Sequence, residues 1–254
     1  ILQAKLEILE GMEATAPVLL NGDDKYLKTA ECGVHAVTCF GVGENCAVRG
    51  IDPEITTGCV RFQVRAGGQE FSVELPVEGE HFVCDALAAV AVGLELGVEP
   101  GRIQESLADF RNMAGRQGIY EKDGYTIISD CYNAGPESMA AALKVLGRQP
   151  GRKIAVLGDM LELGACTQAE HYKVGRLAAE QADRLLAYGP NAARMEKGAI
   201  TGGMTGGAAR SFTDRQQLVL ELKRLARPGD VILFKGSRGM HMELALELFF
   251  RDER

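Results

Sequence analysis

The run Tyr125-Thr126-Ile127-Ile128-Ser129-Asp130-Cys131-Tyr132-Asn133-Ala134-Gly135-Pro136-Glu137-Ser138-Met139 decides how this chain folds. Its first five residues are apolar or β-favouring and read as a buried strand. An acid, a phenol and an amide follow, then Gly135 and Pro136, then the Ala/Leu-rich run from Ala140 to Leu146. Pro136 suits the first turn of a helix, and the Asn/Gly turn suits the bend before it. The stretch therefore reads as strand, polar turn, helix. Open α/β sheets present ligand-binding groups at the carboxyl ends of their strands, where Asp130, Tyr132 and Asn133 fall. The residues alone leave open an ordinary strand-to-helix turn capped by polar side chains.

Outward from this turn the pattern repeats. Strands are expected near 125–130, 153–158, 184–188 and 230–235, with helices near 137–147, 168–181, 214–226 and 240–250. Such alternation implies parallel βαβ units and a three-layer α/β domain. Two more strand ends carry polar clusters. One is Gly158-Asp159-Met160-Leu161-Glu162-Leu163-Gly164, and the other is Lys235-Gly236-Ser237-Arg238. In a parallel sheet all three clusters converge on one edge, which favours a binding site over three independent turns. Lys235, Ser237 and Arg238 precede a helix, where N–H groups and the dipole favour a carboxylate or phosphate. Gly198 to Ala209 is glycine-rich and is expected to be a loop; it lacks the lysine of a phosphate cradle.

Before residue 111 the organisation differs. Ile1 to Gly11 has helical spacing and ends on glycine, without an N-cap or a start methionine, as expected of a fragment of a longer protein. Ala16–Asn21 and His35–Gly41 read as short strands. Cys59–Arg65 and Phe71–Pro76 alternate about Gly67-Gly68 and form a β-hairpin. Phe82 to Leu96 and Gly101 to Phe110 read as helices. The pattern resets at 111–118, so the chain is expected to divide into 1–112 and 113–254. Asp23-Asp24 fits a turn or a metal site, and His81 a helix start.

Composition bounds the rest. The chain has 254 residues, 46% of them hydrophobic and 25% charged, with a formal net charge of −7. That describes a globular protein without the basic surface of a nucleic-acid binder. Its seven cysteines are odd in number and form no CxxC pair, which fits a reducing cytoplasm rather than a disulfide framework or zinc site. No stretch reaches the roughly 18 apolar residues of a membrane span. No GxxxxGK[ST], GxSxG or HExxH pattern is present.

The DCYNAGPESM turn at 130–139, VLGDMLELG at 156–164, His171 and KGSR at 235–238 with Met242-Glu243 resemble the Mur ligases, in the right order and spacing. AKLEILEG at 4–11, NGDD at 21–24, LPVEGEH at 75–81 and ALAAVAVG at 86–93 resemble the same family's central ATPase domain. The resemblance implies the second half of that domain, containing the hairpin, followed by the family's Rossmann-like C-terminal domain. It implies a cytoplasmic, monomeric, ATP- and Mg²⁺-dependent amide ligase of peptidoglycan precursor synthesis. Its substrates would be UDP-N-acetylmuramoyl-tripeptide and D-alanyl-D-alanine.

By the same resemblance, Lys5 matches a lysine that is carbamylated and helps hold magnesium, and His81 stands at the catalytic centre. Arg116, in Ala114-Gly115-Arg116, would lie near the nucleotide with Asp130, Tyr132, Asn133 and Asp85. Glu162, Lys235, Ser237 and Arg238 would face the dipeptide or its carboxylate. ATP would convert the peptide carboxylate to an acyl phosphate, which the dipeptide amine attacks. The sequence departs from the family pattern at Phe82 and Asp85, where asparagines are usual, and at Gly135. The family's phosphate loop would precede Lys5, so this stretch alone is expected not to turn over. Two other functions remain: a related ATP-dependent amide ligase with another substrate, such as a different Mur ligase or a folylpolyglutamate-synthase-like enzyme, or a ligand-binding module without catalysis.

Overall fold

A computed structural model describes residues 2–113 and 115–251. Ile1 of the first helical run and Ala114 of the Ala-Gly-Arg motif lie outside the described residues. Contacts divide the chain into two units, Ile1–Arg111 and Asn112–Arg254.

The first unit is a mixed five-stranded sheet in the order β1-β2-β3-β4-β5. Its strands are β1 Val18–Asn21, β2 Val37–Gly41, β3 Val48–Thr56, β4 Cys59–Ala66 and β5 Gln69–Leu75. The first three run parallel, and β4 and β5 form the expected hairpin. Alternation buries Val60, Phe62, Val64, Val73 and Leu75 against the helices α2 (His81–Glu95) and α3 (Pro100–Ala108). The first helical run is α1, Leu2–Leu6, which tightens into a 3₁₀ turn over Glu7–Gly11 and buries no residue fully. The strand β3 is absent from the sequence reading. A bulge between Ile51 and Glu54, with Asp52 at φ 50°, breaks its alternation, and Pro53 further disguises it.

The second unit is a six-stranded sheet in the order β10-β9-β8-β11-β7-β6. In chain order its elements are β6 Gly118–Lys122, β7 Tyr125–Asp130, α4 Pro136–Arg148, β8 Lys153–Gly158 and α5 Thr167–Gln181. They continue as β9 Arg184–Tyr188, α6 Ala192–Thr201, β10 Ala209–Phe212, α7 Arg215–Leu225, β11 Val231–Lys235 and α8 Met242–Phe250. All strands run parallel except the edge strand β6. Successive strand residues serve opposite faces. Ile128, Ala155, Leu185 and Leu233 pack with α4, α5 and α6, while Ile127, Ile154, Leu186, Ile232 and Phe234 pack with α7 and α8. This is the three-layer α/β arrangement implied by the alternating pattern. Helices α5 and α8 cover opposite faces of this sheet.

One expectation is corrected here. Gly198 belongs to α6 and Ala209 begins β10, so the glycine-rich run is not a loop throughout. A Cβ on Gly198 would stand 2.1 Å from the Tyr172 carbonyl oxygen, and one on Gly175 would stand 1.9 Å from that of Met195. These glycines let the backbones of α5 and α6 touch, a role that a composition-based reading mistakes for turn chemistry.

Candidate functional site

The strands β8, β11 and β7 are adjacent and parallel, so their three polar clusters do meet on one edge. Register places Lys235 beside Asp130 and beside Leu157. Lys235 is 2% exposed, and its Nζ donates to Asp130 Oδ2 at 2.5 Å and to the Asn133 carbonyl at 3.0 Å. Asp130 Oδ1 accepts from the Gln117 backbone N–H at 3.2 Å. A buried ammonium is tolerable only with such partners. The ion pair thereby fixes the turn after β7 against the end of β11. Beneath it, Cys131 reaches the Phe234 carbonyl, and burial pushes its thiol up to about 11.

Ser237 is buried as well. Its hydroxyl donates to the Ala134 carbonyl at 3.0 Å and accepts from the Leu161 N–H at 2.9 Å, and its own N–H donates to the Asp159 carbonyl at 3.0 Å. One serine thus ties all three strand-end loops together. The resemblance implies that Lys235 and Ser237 face the dipeptide or its carboxylate; in the structure both hold the rim, and Ser237 also lines the pocket above it. Their partners lie about a hundred positions away in sequence, which no local pattern reveals.

The loop after β8 has its own anchor. His171 is fully buried; its Nδ1 donates to the Thr167 carbonyl at 2.7 Å and its Nε2 accepts from the Met160 N–H at 3.0 Å. Those partners define the neutral Nδ1–H tautomer. Asp159, also buried, accepts through Oδ2 from the backbone and side-chain nitrogens of Asn191. Asp159 belongs to the second strand-end cluster of the sequence, where it reads as a ligand group; its partner Asn191 stands in no motif.

Above these anchors lies a pocket lined by Tyr132, Asn133, Ala134, Leu161, Glu162, Ser237, Arg238 and Gly239. Here the exposed functional groups are gathered. The Arg238 side chain is 65% exposed and makes a 3.3 Å contact with Glu243. Glu162 is exposed at φ 64°, a left-handed conformation that is strained for a non-glycine residue. Tyr132 is half exposed, and the Arg116 guanidinium lies 4.3 Å from its ring centre in cation–π geometry. Asn133 turns its Oδ1 back onto the Ala134 N–H. Gly135 takes ordinary extended angles with open space where a Cβ would stand, so the backbone does not demand glycine there.

In the first unit, Asp23 accepts from the N–H groups of Val42 and Gly43 at 2.7 and 2.9 Å, and Asp24 from those of Tyr26 and Leu27. Asp24 caps its own turn while Asp23 holds the loop after β2, and the Leu27 N–H, then that of Tyr26, holds the Asp24 carboxyl below its usual range. His81 and Asp85 lie one turn apart at the start of α2, with Asp85 exposed and Phe82 buried in the core. Lys5 is exposed on α1. Among the described residues, no group of three His, Cys, Asp or Glu side chains could hold a metal ion.

The parallel sheet with its three knitted strand ends, preceded by a mixed sheet packed on helices, gives two α/β domains. The Mur ligase middle domain matches residues 1–93, and the Mur ligase, glutamate ligase domain matches residues 115–238. The chain belongs to the Mur ligase family. It is 32% identical over 248 residues to the UDP-N-acetylmuramoyl-tripeptide--D-alanyl-D-alanine ligase of Bacillus subtilis (strain 168), covering 96% of this chain and 53% of that protein. A crystal structure of MurF from Acinetobacter baumannii superposes with a TM-score of 0.87 at 31% identity, over 97% of this chain and 54% of that one. The MurF ligase from Thermotoga maritima, solved in complex with ADP, superposes with a TM-score of 0.81 at 26% identity, covering 98% and 56%. The chain spans about half the length of the relatives it matches.

Proposed function

We propose that this chain is the middle-to-C-terminal part, divided between residues 112 and 113, of a cytoplasmic ATP-dependent ligase that joins D-alanyl-D-alanine to UDP-N-acetylmuramoyl-tripeptide. The observation that carries this reading is the second unit's pocket, in which exposed Arg238 and Glu162 line one concavity over a rim held rigid by Lys235, Asp130 and Ser237. A small dipeptide carries a carboxylate and an amine, and one cationic and one anionic side chain in a single pocket suit such a zwitterion. Arg238 takes the carboxylate, exchanging its weak contact with Glu243 for a charge-assisted pair. Glu162 faces the amine end, and its strained backbone fixes the direction of its side chain.

ATP supplies the phosphoryl group that makes the tripeptide carboxylate an acyl phosphate. The second unit's contribution is to hold the amine for attack on that carbonyl, with the pocket excluding competing water. Arg116, an exposed cation whose guanidinium stacks on Tyr132, has the role of neutralising nucleotide phosphate. Asp130 fixes Lys235 and thereby the turn carrying Tyr132 and Asn133, so it is a positioning residue. His81 and Asp85 would serve the nucleotide from the start of α2.

The test is phosphate release by the whole ligase that contains this chain. Release from ATP is expected only when both UDP-N-acetylmuramoyl-tripeptide and D-alanyl-D-alanine are present. Equal release with glutamate or a folate in place of the dipeptide would overturn the assignment.

A further inference from the structure

The first unit holds a pair of free thiols that the ligase reading does not use. Cys39 lies on β2 and Cys46 in the loop between β2 and β3, both partly exposed. The two side chains converge over Gly22. A Cβ at that position would stand 2.6 Å from Cys46 Sγ and 3.3 Å from Cys39 Cβ, so glycine is what makes room for the pair. The Cys39 Sγ donates to the carbonyl of Asn45, the residue next to Cys46, at 3.2 Å, which draws the thiol towards that loop. Asp23 fixes the intervening loop through the N–H groups of Val42 and Gly43, and the Cys46 N–H closes a turn onto the Gly43 carbonyl. Chain segments that bear the two sulfurs are therefore held in contact before any bond forms.

We propose that Cys39 and Cys46 form a reversible disulfide, a modification site that ties the β2–β3 loop to β2 at the carboxyl edge of the first unit's parallel strands. The oxidant is a small-molecule disulfide. One protein thiolate attacks it, forming a mixed disulfide and releasing one small thiolate, which takes up a proton. The other protein thiolate then attacks the protein sulfur of the mixed disulfide, forming the Sγ–Sγ bond and expelling the second small thiol. The protein loses two electrons and two protons, and the oxidant becomes two thiols.

Burial, then the neighbouring Cys39 thiol and Asp23 carboxylate, push the Cys46 thiol up to about 11. Its thiolate is scarce at neutral pH, so bond formation is slow there and accelerates as pH rises. Cys46 faces only Cys39 and Asp23 among the groups that shift it towards the neutral thiol, and no cation offsets them.

The experiment is oxidation of the full chain with glutathione disulfide at mildly alkaline pH, quenching with acid, and digestion after glutamate. Cleavage after Glu31, Glu44 and Glu54 puts Cys39 in peptide 32–44 and Cys46 in peptide 45–54. The expected product is these two peptides joined, two hydrogen masses below their sum, at about tenfold or more the yield of any other cysteine pair, because preformed contact raises effective concentration. The linkage should persist in the Cys32→Ala variant, which removes the other cysteine of peptide 32–44, and vanish in Cys46→Ser. Unlinked peptides carrying single glutathione adducts, or a link that disappears with Cys32, would overturn the proposal.

Discussion

At the carboxyl ends of β7 and β11 a buried lysine pairs with a half-buried aspartate. At those of β1 and β2, Asp23 and Asp24 lie nearer solvent and spend their oxygens on backbone N–H groups. Both edges belong to parallel strands, and both present acids where such sheets bind ligands. The second unit uses long-range charge pairing and a buried serine to lock three loops into one rim. In the first unit, Asp24 caps its own turn, and Asp23 reaches across from the end of β1 to hold the loop after β2. The difference teaches that acidic residues at strand ends serve two purposes: a half-buried one with a buried cationic partner builds the platform, and one bonded to backbone N–H groups shapes the chain. The ligand groups we propose are the exposed charges standing on the platform, Arg238, Glu162 and Arg116.

This contrast can be broken by substitution. Lys235→Met leaves Asp130 without its cation and should cost about 3–5 kcal/mol in urea unfolding of the second unit, and adding Asp130→Asn should recover most of it. A loss under 1 kcal/mol would put the ion pair on a par with a surface contact. Ser237→Ala strands the Leu161 N–H and the Ala134 carbonyl, at about 1–3 kcal/mol by the same measurement. Acid should also distinguish the units. Hydrogen bonding from Arg224, then Arg210, draws the largely buried Glu221 carboxyl down to about 2. Its folded pKa lies below its unfolded value, so the stability it adds is present above about pH 4.5 and is lost as pH falls towards 2. With Arg224 largely exposed, the loss is about 1–2 kcal/mol, read as earlier acid broadening of amide NMR signals in the second unit, and Glu221→Gln should abolish that pH dependence.

Asp23→Ala, by contrast, should cost only about 1 kcal/mol, confined to the β2–β3 loop in hydrogen exchange. The smallest effect belongs to Gly135→Asn. The site has open space and extended angles at the helix N-cap, so the amide should raise stability by a few tenths of a kcal/mol.

Much of the second unit was legible because its strands are short apolar runs bounded by turn residues, and parallel topology follows from their alternation with helices. The convergence of Asp130, Glu162 and Arg238 on one edge followed from that topology alone. What sequence did not reveal was which polar residues point inward. Lys235 ends a strand, where a lysine normally meets solvent or ligand, and only its pairing with Asp130 across neighbouring strands explains its burial. His171 reads as one helical residue among polar neighbours, yet it caps the Met160 N–H. The edge strand β6 escaped notice because it is mostly exposed and carries Tyr120, Glu121 and Lys122 without apolar alternation. The glycines of α5 and α6 escaped because close helix packing and loop flexibility call for the same residue.

Arg238 is the exposed cation on which the account of the pocket depends. The most direct measurement is the KM for D-alanyl-D-alanine of the whole ligase carrying Arg238→Ala, with the KM for ATP measured alongside. Losing one charge-assisted carboxylate contact of about 1.5–3 kcal/mol predicts a rise of roughly 10- to 150-fold in the dipeptide KM, with that for ATP unchanged. An unchanged dipeptide KM, or an equal rise for ATP, would contradict the assignment of this pocket to the dipeptide carboxylate.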